Sequence, residues 1–167
     1  MMVAVQVQPT ASLADVRYQW DADTDILTVT LAPPPERGGA SGSVEVQGAD
    51  GSWLTLDVVA GCIGGLQVAV WPTVKKRRSL TPPPVAEAAD AALAGATDPG
   101  GIVVFEVSAP VAAEADDAEH SFHFLLGRGR PARTVRIARD VLLELDDRLR
   151  VSGVWLLNVP PSPHSTS

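Results

Sequence analysis

Three aspartates at alternate positions, Asp21, Asp23 and Asp25, have the spacing of the first ligands in a calcium-binding loop. Such a loop needs a glycine at its sixth position and a glutamate at its twelfth, where this chain has Ile26 and Ala32. Aspartate side chains also accept hydrogen bonds from the backbone of their own turn, which requires no metal. The sequence therefore predicts an Asp-rich turn between two strands and no metal site.

The residues that commonly act as nucleophiles or metal ligands are sparse. His120 and His123 are three residues apart, so on a strand they point to opposite faces and are not expected to share a metal ion. Cys62 lies in a Gly-rich stretch without a nearby histidine, and such a thiol is usually inert. The sequence has neither a Gly-x-Ser-x-Gly elbow nor a Gly-Lys-Ser/Thr phosphate loop. We therefore expect no catalytic residue, no cofactor and no metal.

Arginines are the remaining candidates for a binding site, because a cluster of guanidinium groups can hold a phosphate or an acidic partner. Strand alternation should leave Arg136 pointing outward. The simpler interpretation, which we favour, is that the cluster offsets the acidic stretch at 114–119. A second basic run, at 75–78, is interpreted as a solvated linker. The cluster consists of Arg128, Arg130, Arg133, Arg136 and Arg139.

Two tryptophans, Trp71 and Trp155, lie on the last strand of each half of the chain. If one face of that strand packs in the core, Trp71 on the other face needs a cover, which is either another part of this chain or a partner protein. Both alternatives stay open at this point. The interaction surface predicted from the sequence comprises Trp71, Trp155, Arg128, Arg130 and Arg136.

The elements that position these residues are β-hairpins, and two of them have the same pattern. In each, an apolar strand reaches Leu-Asp (Asp57 and Asp146), a turn follows, and a glycine (Gly65 and Gly153) opens a second apolar strand that ends at a proline. Alternating residues predict three further strands in each half. Each half is therefore expected to form a unit of five strands in meander order.

One segment has a different pattern, at 85–94. It is alanine-rich, prolines precede it and Gly95 follows it, which predicts a short helix. In the second half, an acidic loop at 110–119 is expected between two strands. The predicted organisation is a first β repeat at 1–74, a basic and Pro-rich linker with the helix at 75–100, a second β repeat at 101–160 and a disordered tail at 161–167.

The predicted fold is mainly β, with two pseudo-repeated antiparallel β-meander units packed as a sandwich or an open barrel and one short linking helix. The length of 167 residues and a hydrophobic content of 46% are typical of a globular domain, although aromatic residues make up only 5%. The core must therefore be built mainly from aliphatic side chains.

Composition also limits the partners and the compartment. The net charge of −7 disfavours nucleic acid, which usually binds a positive surface. A single cysteine forms no internal disulfide, the first residues lack the pattern of a signal peptide, and no stretch approaches 18 apolar residues. We therefore expect a cytoplasmic protein that does not enter a membrane.

The first half resembles a family of short bacterial proteins of unknown function. Its members have an aromatic-Asp-x-x-x-Asp-x-Leu hairpin, then a strand ending in Leu-Asp, then a Gly-Ile-x-Ile strand. That resemblance implies a small antiparallel sheet without a known activity, in some cases encoded beside a toxin partner. The second half matches only around Asp146 and Gly153. The matching residues of the first half are Trp20, Asp21, Asp25, Leu27, Val29, Leu31, Leu56, Asp57, Gly65, Leu66, Gln67 and Val68.

These observations favour a non-catalytic cytoplasmic module for protein–protein interaction, with an antitoxin-like or adaptor-like role as its most specific form. The sequence leaves the oligomeric state open. The alternative is a small-ligand-binding protein or an enzyme that uses a cleft between the two repeats. A deep pocket that gathers Asp21, Asp25, Arg136 or His123 would favour the alternative. A flat apolar patch around Trp71 or an exposed strand edge would favour the interaction module.

Overall fold

The structure, a computed structural model, describes residues 2–84 and 87–163. This part of the chain contains no helix, and its strands join into one curled, half-barrel sheet, so the fold is all-β. In chain order the strands are β1 (Val5–Pro9), β2 (Asp15–Trp20), β3 (Leu27–Ala32), β4 (Ser41–Gln47), β5 (Trp53–Val59), β6 (Cys62–Val70), β7 (Val74–Arg77), β8 (Glu87–Leu93), β9 (Ile102–Ser108), β10 (Val111–Asp116), β11 (Phe122–Leu126), β12 (Arg133–Ala138), β13 (Val141–Leu145) and β14 (Val151–Leu156).

Two groups of strands make up the sheet. The first group pairs in the order β2-β3-β6-β5-β4-β9, and the second pairs in the order β7-β10-β11-β14-β13-β12. β8 joins the two groups, because its first residues pair in parallel with β12 and Ala92 near its end pairs with Cys62 of β6. It also pairs along five residues with β1, which is antiparallel to it.

The prediction of two separate meander units is not supported. β3 pairs with β6 and not with β4, and β11 likewise pairs with β14 and not with β12. The halves also exchange strands, since β9 pairs with β4 of the N-terminal half and β7 pairs with β10 of the C-terminal half. β2 to β6 and β10 to β14 therefore share a pairing order, but they belong to one continuous sheet.

The predicted helix at 85–94 is wrong, since the structure has strand β8 there. Buried Ala89, Ala91 and Leu93 alternate with half-buried residues, which is the period of a strand. Ladder bonds to β1 and the burial of this row outweigh the intrinsic helix preference of alanine, which is a weak determinant beside tertiary packing. The first two residues of the predicted helix lie outside the described part of the chain.

Two predicted loops are also strands. The acidic stretch at 110–119 contains β10, and the first three residues of the basic run at 75–78 belong to β7, which pairs with β10 in parallel. Ion pairs join the basic run to the acidic stretch: Lys76 lies 2.5 Å from Glu119, which follows β10, and Arg77 lies 2.7 Å from Glu114. Opposite charges on neighbouring strands favour their pairing. The basic run therefore offsets the acidic stretch, a role that we had predicted for the arginine cluster.

One hydrophobic core lies between the two groups of strands. β3, β5 and β6 contribute an aliphatic row, and β11, β13 and β14 contribute the facing row, which includes Phe122 and Phe124. Both phenylalanines are fully buried. The two halves are therefore held together by the hydrophobic effect as well as by ladder hydrogen bonds.

Turns follow the predicted chemistry more closely than the loops do. In the Asp-rich turn, the backbone N–H of Asp23 donates to the Asp21 carboxylate at 2.9 Å, which confirms a turn capped by its own side chain. The Gly48–Gly51 turn is closed by a backbone hydrogen bond between these two glycines.

Most of the predicted tail at 161–167 lies outside the described residues. Within the described residues, no helix is long and apolar enough to cross a bilayer.

Candidate functional site

Trp71 is covered by this chain. Its ring stacks on Trp20 with centroids 5.7 Å apart, and it also contacts Phe122 at 5.3 Å. The indole N–H donates to the Asp25 carbonyl at 2.8 Å. Trp71 therefore joins the Asp-rich turn to β11, and the structure selects the intramolecular cover from the two alternatives.

Trp155 is buried in a polar cluster on the face of the C-terminal half that points away from the core. Only 4% of the residue is exposed, and its ring stacks on His123 with centroids 4.2 Å apart. His123 Nε2 lies 2.5 Å from a carboxylate oxygen of Glu144, which is 5% exposed. The indole nitrogen has no hydrogen-bond partner in the described structure. The Trp155 ring is therefore not part of the exposed surface.

Gly153 provides the space that this cluster needs. A Cβ at this position would collide with the carboxylate of Glu144, its cross-strand neighbour. The N-terminal half has the same arrangement, with Asp57 opposite Gly65. Burial raises the pKa of Asp57. A histidine held by a buried carboxylate is the orienting half of many catalytic sites, but the described residues place no nucleophile next to it.

The arginines do not converge on one site. Arg128 and Arg130 are exposed on the loop between β11 and β12, whereas Arg136 is half-buried on β12 and donates to the Arg139 carbonyl. Arg139 pairs with Asp15 at 2.8 Å. The cluster is therefore divided between a loop and a strand.

Two open cavities flank the N-terminal strand. One, of about 550 Å³, is lined by Met2, Arg128, Asp146 and Arg150, and the other, of about 490 Å³, includes Cys62. Arg150 donates to the Asp146 carboxylate at 2.9 Å, and the charges of these two side chains in the first cavity therefore offset each other. In the second cavity, burial and the nearby Asp90 raise the pKa of Cys62 to about 11, which keeps its thiol protonated and unreactive.

A third cavity, of about 540 Å³, is lined by Asp15, Arg17 and the prolines that follow β3. A much smaller void lies in the core between the two groups of strands. The residues that would indicate a ligand cleft are Asp21, Asp25, Arg136 and His123. None of them lines any of these four cavities. These four cavities therefore do not bring together the residues predicted for a ligand cleft between the halves.

The feature that the sequence reasoning missed is the outer edge of β9. This strand pairs with β4 along seven residues, and no other strand of the described chain pairs with it. Ile102 is 87% exposed and Val104 is 59% exposed. The sequence offered a signal, because β9 is a β-branched run with one charge, Glu106, placed between a Gly-Gly pair and Ala109-Pro110.

Backbone hydrogen bonds show which groups of β9 are free. Ser41 N–H donates to the Gly101 carbonyl, and Ala109 N–H donates to the Gln47 carbonyl, each at 3.0 Å. Because the bonding residues alternate along a parallel ladder, the odd-numbered residues between these two bonds face β4. The N–H and C=O groups that face away from the sheet belong to Ile102, Val104, Glu106 and Ser108.

β9 is a fixed edge. Phe105 and Val107 pack against the core, which anchors the strand from its inner face. On the side of β4, Gly42 allows close approach, because a Cβ there would overlap the Val103 carbonyl oxygen. The outward backbone groups of β9 are therefore held in a geometry suited to receive another strand.

The chain matches no protein-family model and no curated protein.

Proposed function

We propose that this protein is a non-catalytic interaction module that binds a protein partner by adding the partner's extended segment to β9. The observation that carries the proposal is the unpaired outer edge of β9, where four residues present backbone donors and acceptors beside the exposed side chains of Ile102 and Val104. Main-chain bonds provide affinity in this mode of recognition, and alternate side chains provide specificity.

The other edges support this choice by contrast. β7, at the far side of the sheet, has only four residues and exposes Lys75, Lys76 and Arg77, and such short, charged strands discourage pairing. β2 exposes Asp15 and Arg17, and the chain just before it is bridged to β12. β9 is longer than β7 and has one charged residue. Of these three edges, β9 is the one that lacks these protective features.

A cytoplasmic, adaptor-like or antitoxin-like role is the form of this proposal that agrees with the resemblance of the first half and with the net charge of −7, which disfavours nucleic acid as the partner. The ligand-binding or enzymatic alternative depends on a cleft. It has weaker support, since Asp21, Asp25, Arg136 and His123 lie apart from the four cavities described above.

The test removes one outward N–H from β9. Val104→Pro deletes a donor on the free edge without deleting a bond to β4, and proline is tolerated at edge positions of this kind. Val104→Thr is the matched control, because it keeps the N–H and the branched shape. Each form serves as bait in a lysate of the source cells, and the captured proteins are identified by mass spectrometry.

We expect the wild type and Val104→Thr to retain the same stoichiometric protein, and we expect Val104→Pro to lose it. Circular dichroism must show that all three baits are folded. Recovery of the partner in equal amounts by Val104→Pro would refute recognition through β9. Recovery of no stoichiometric protein other than the bait by the wild type would refute binding of a different protein through β9.

A further inference from the structure

We infer that the chain that docks on β9 is a second copy of this protein, paired antiparallel about a two-fold axis that passes through Phe105. The inference rests on the proposed function, since it assigns the occupant of the same edge. Two-fold pairing requires an edge that is complementary to itself. The described residues of β9 meet that requirement in backbone and charge.

The backbone groups match in this register. With the axis at Phe105, Ile102 of one copy faces Ser108 of the other, and Val104 faces Glu106. Ile102, Val104, Glu106 and Ser108 are the residues whose N–H and C=O groups face outward. Facing residues in an antiparallel ladder exchange both bonds, so every outward group of β9 is satisfied. Moving the axis toward either end leaves part of an edge unpaired.

The charge of β9 favours the same register. Glu106 is the one ionisable residue of the strand, and here it lies opposite Val104 of the second copy. If the axis passed through Glu106, the two carboxylates would face each other, and like charges directly opposite are destabilising. The net charge of −7 on each copy adds a long-range repulsion that salt screens. Added salt should therefore strengthen the dimer.

The contact is small. Each copy contributes one seven-residue strand, together with the exposed side chains of Ile102 and Val104, so the buried area falls in the range of weak complexes, below about 1,200 Å². Because β9 is already ordered by β4 and the core, little conformational entropy is lost on pairing. We therefore expect a concentration-dependent dimer with a dissociation constant on the order of micromolar or weaker.

Two opposite charges at Val104 test both the partner and the register. In the register centred on Phe105, Val104→Lys places an ammonium opposite Glu106 of the other copy, and Val104→Glu places a carboxylate there. The lysine should tighten the dimer and the glutamate should weaken it, each by about 2- to 30-fold, because the pair occurs twice. In a register centred on Val104, both variants place like charges opposite each other and weaken the dimer equally.

The measurement is sedimentation velocity on the purified full-length chain, from about 1 μM to about 500 μM, a range that brackets weak dimers. We expect a monomer–dimer equilibrium for the wild type and for Val104→Thr, a monomer for Val104→Pro, and opposite shifts for the lysine and glutamate variants. Circular dichroism checks that each variant is folded.

A monomeric wild type over the whole range would overturn this inference. So would a dimer that Val104→Pro leaves unchanged, or equal shifts for the two charged variants. None of these results decides whether β9 binds a different protein, because the lysate capture described above tests that question separately. The two proposals can therefore fail independently.

Discussion

Gly153 allows a test of the buried polar cluster on the C-terminal half. Substituting Gly153 by alanine adds a Cβ that would collide with the Glu144 carboxylate and lie 3.0 Å from the Phe124 carbonyl oxygen. Glu144 cannot easily move aside, because it is buried and held by His123 at 2.5 Å. We expect Gly153→Ala to lower the free energy of unfolding by about 1–3 kcal/mol, the usual cost of overpacking.

The cause of that loss can be separated in a double-mutant cycle. In a Glu144→Ala background the carboxylate is gone, so Gly153→Ala should cost about half as much. The cost that remains is due to the contact with the Phe124 carbonyl oxygen. The coupling between the two changes should be at least about 0.5 kcal/mol. In a Glu144→Gln background the side chain keeps its size, and the full cost should return. Urea denaturation at one pH and temperature measures all of these values.

Gly65 in the N-terminal half is the matched control. A Cβ there would lie 2.5 Å from the Val29 carbonyl oxygen, which is backbone, and 3.0 Å from the Asp57 carboxylate. Gly65→Ala should therefore cost about the same with Asp57 present or replaced by alanine. If Gly153→Ala costs the same with and without the Glu144 carboxylate, the explanation given for Gly153 is refuted.

Three further outcomes are expected. Burial acts to raise the pKa of Asp146, but hydrogen bonds from the backbone N–H groups of Arg150 and Arg148 and from the Arg150 guanidinium outweigh it and lower that pKa below 3.8. Its stabilising effect should be complete above the pKa that it has in the unfolded chain and should disappear as the pH falls through its lower pKa in the folded chain, so wild type and Asp146→Asn should converge in stability on acid titration. Trp71→Ala should destabilise by about 3 kcal/mol in urea melts, whereas Trp71→Phe, which keeps an aromatic ring but loses the bond to Asp25, should cost about 1 kcal/mol. Cys62, with a pKa of about 11, should react with a thiol reagent at pH 8 at least about 100-fold more slowly in the folded chain than in urea.

The sequence predicted the strands well where apolar and polar residues alternate. β3, β5 and β11 lie where Leu27, Leu54 and Phe122 begin such a pattern, and the Asp-rich turn has the predicted side-chain cap. The turn was predictable because its hydrogen bond joins residues two positions apart. These are local properties, which a sequence pattern can show.

Long-range pairing was not predictable in this way. The same alternation is compatible with β3 beside β4 or beside β6, because a strand's period does not identify its neighbour. β8 shows the second limit. Ala89, Ala91 and Leu93 fit a strand as well as a helix, and only the presence of β1 alongside decides between them. The sequence also did not predict the open edge of β9, because whether a strand lies at an edge depends on which other strands pair with it.

The connection from β7 to β8 has to span the C-terminal half of the sheet, on whose outer face Trp155 is buried although the sequence predicted it at the surface. These strands lie on opposite sides of five others, a path of roughly 29 Å along the curled sheet at the usual strand spacing. The residues between Arg77 and Glu87 reach at most about 34 Å, so the chain has little length for a detour. Arg78 and Ser79 form a turn at the end of β7, and the three consecutive prolines at 82–84 favour an extended course for the rest of this short connection.

The outward-facing row of the C-terminal half differs from its counterpart in the N-terminal half. His123, Trp155 and Leu142 face one another across β11, β14 and β13, and Leu142 is fully buried. The matching row on β3, β6 and β5 is polar and half-buried. A half-buried glutamine stands at the position that matches the buried tryptophan, because apolar area is favoured only where it is removed from water. The matching row consists of Thr28, Gln67 and Thr55.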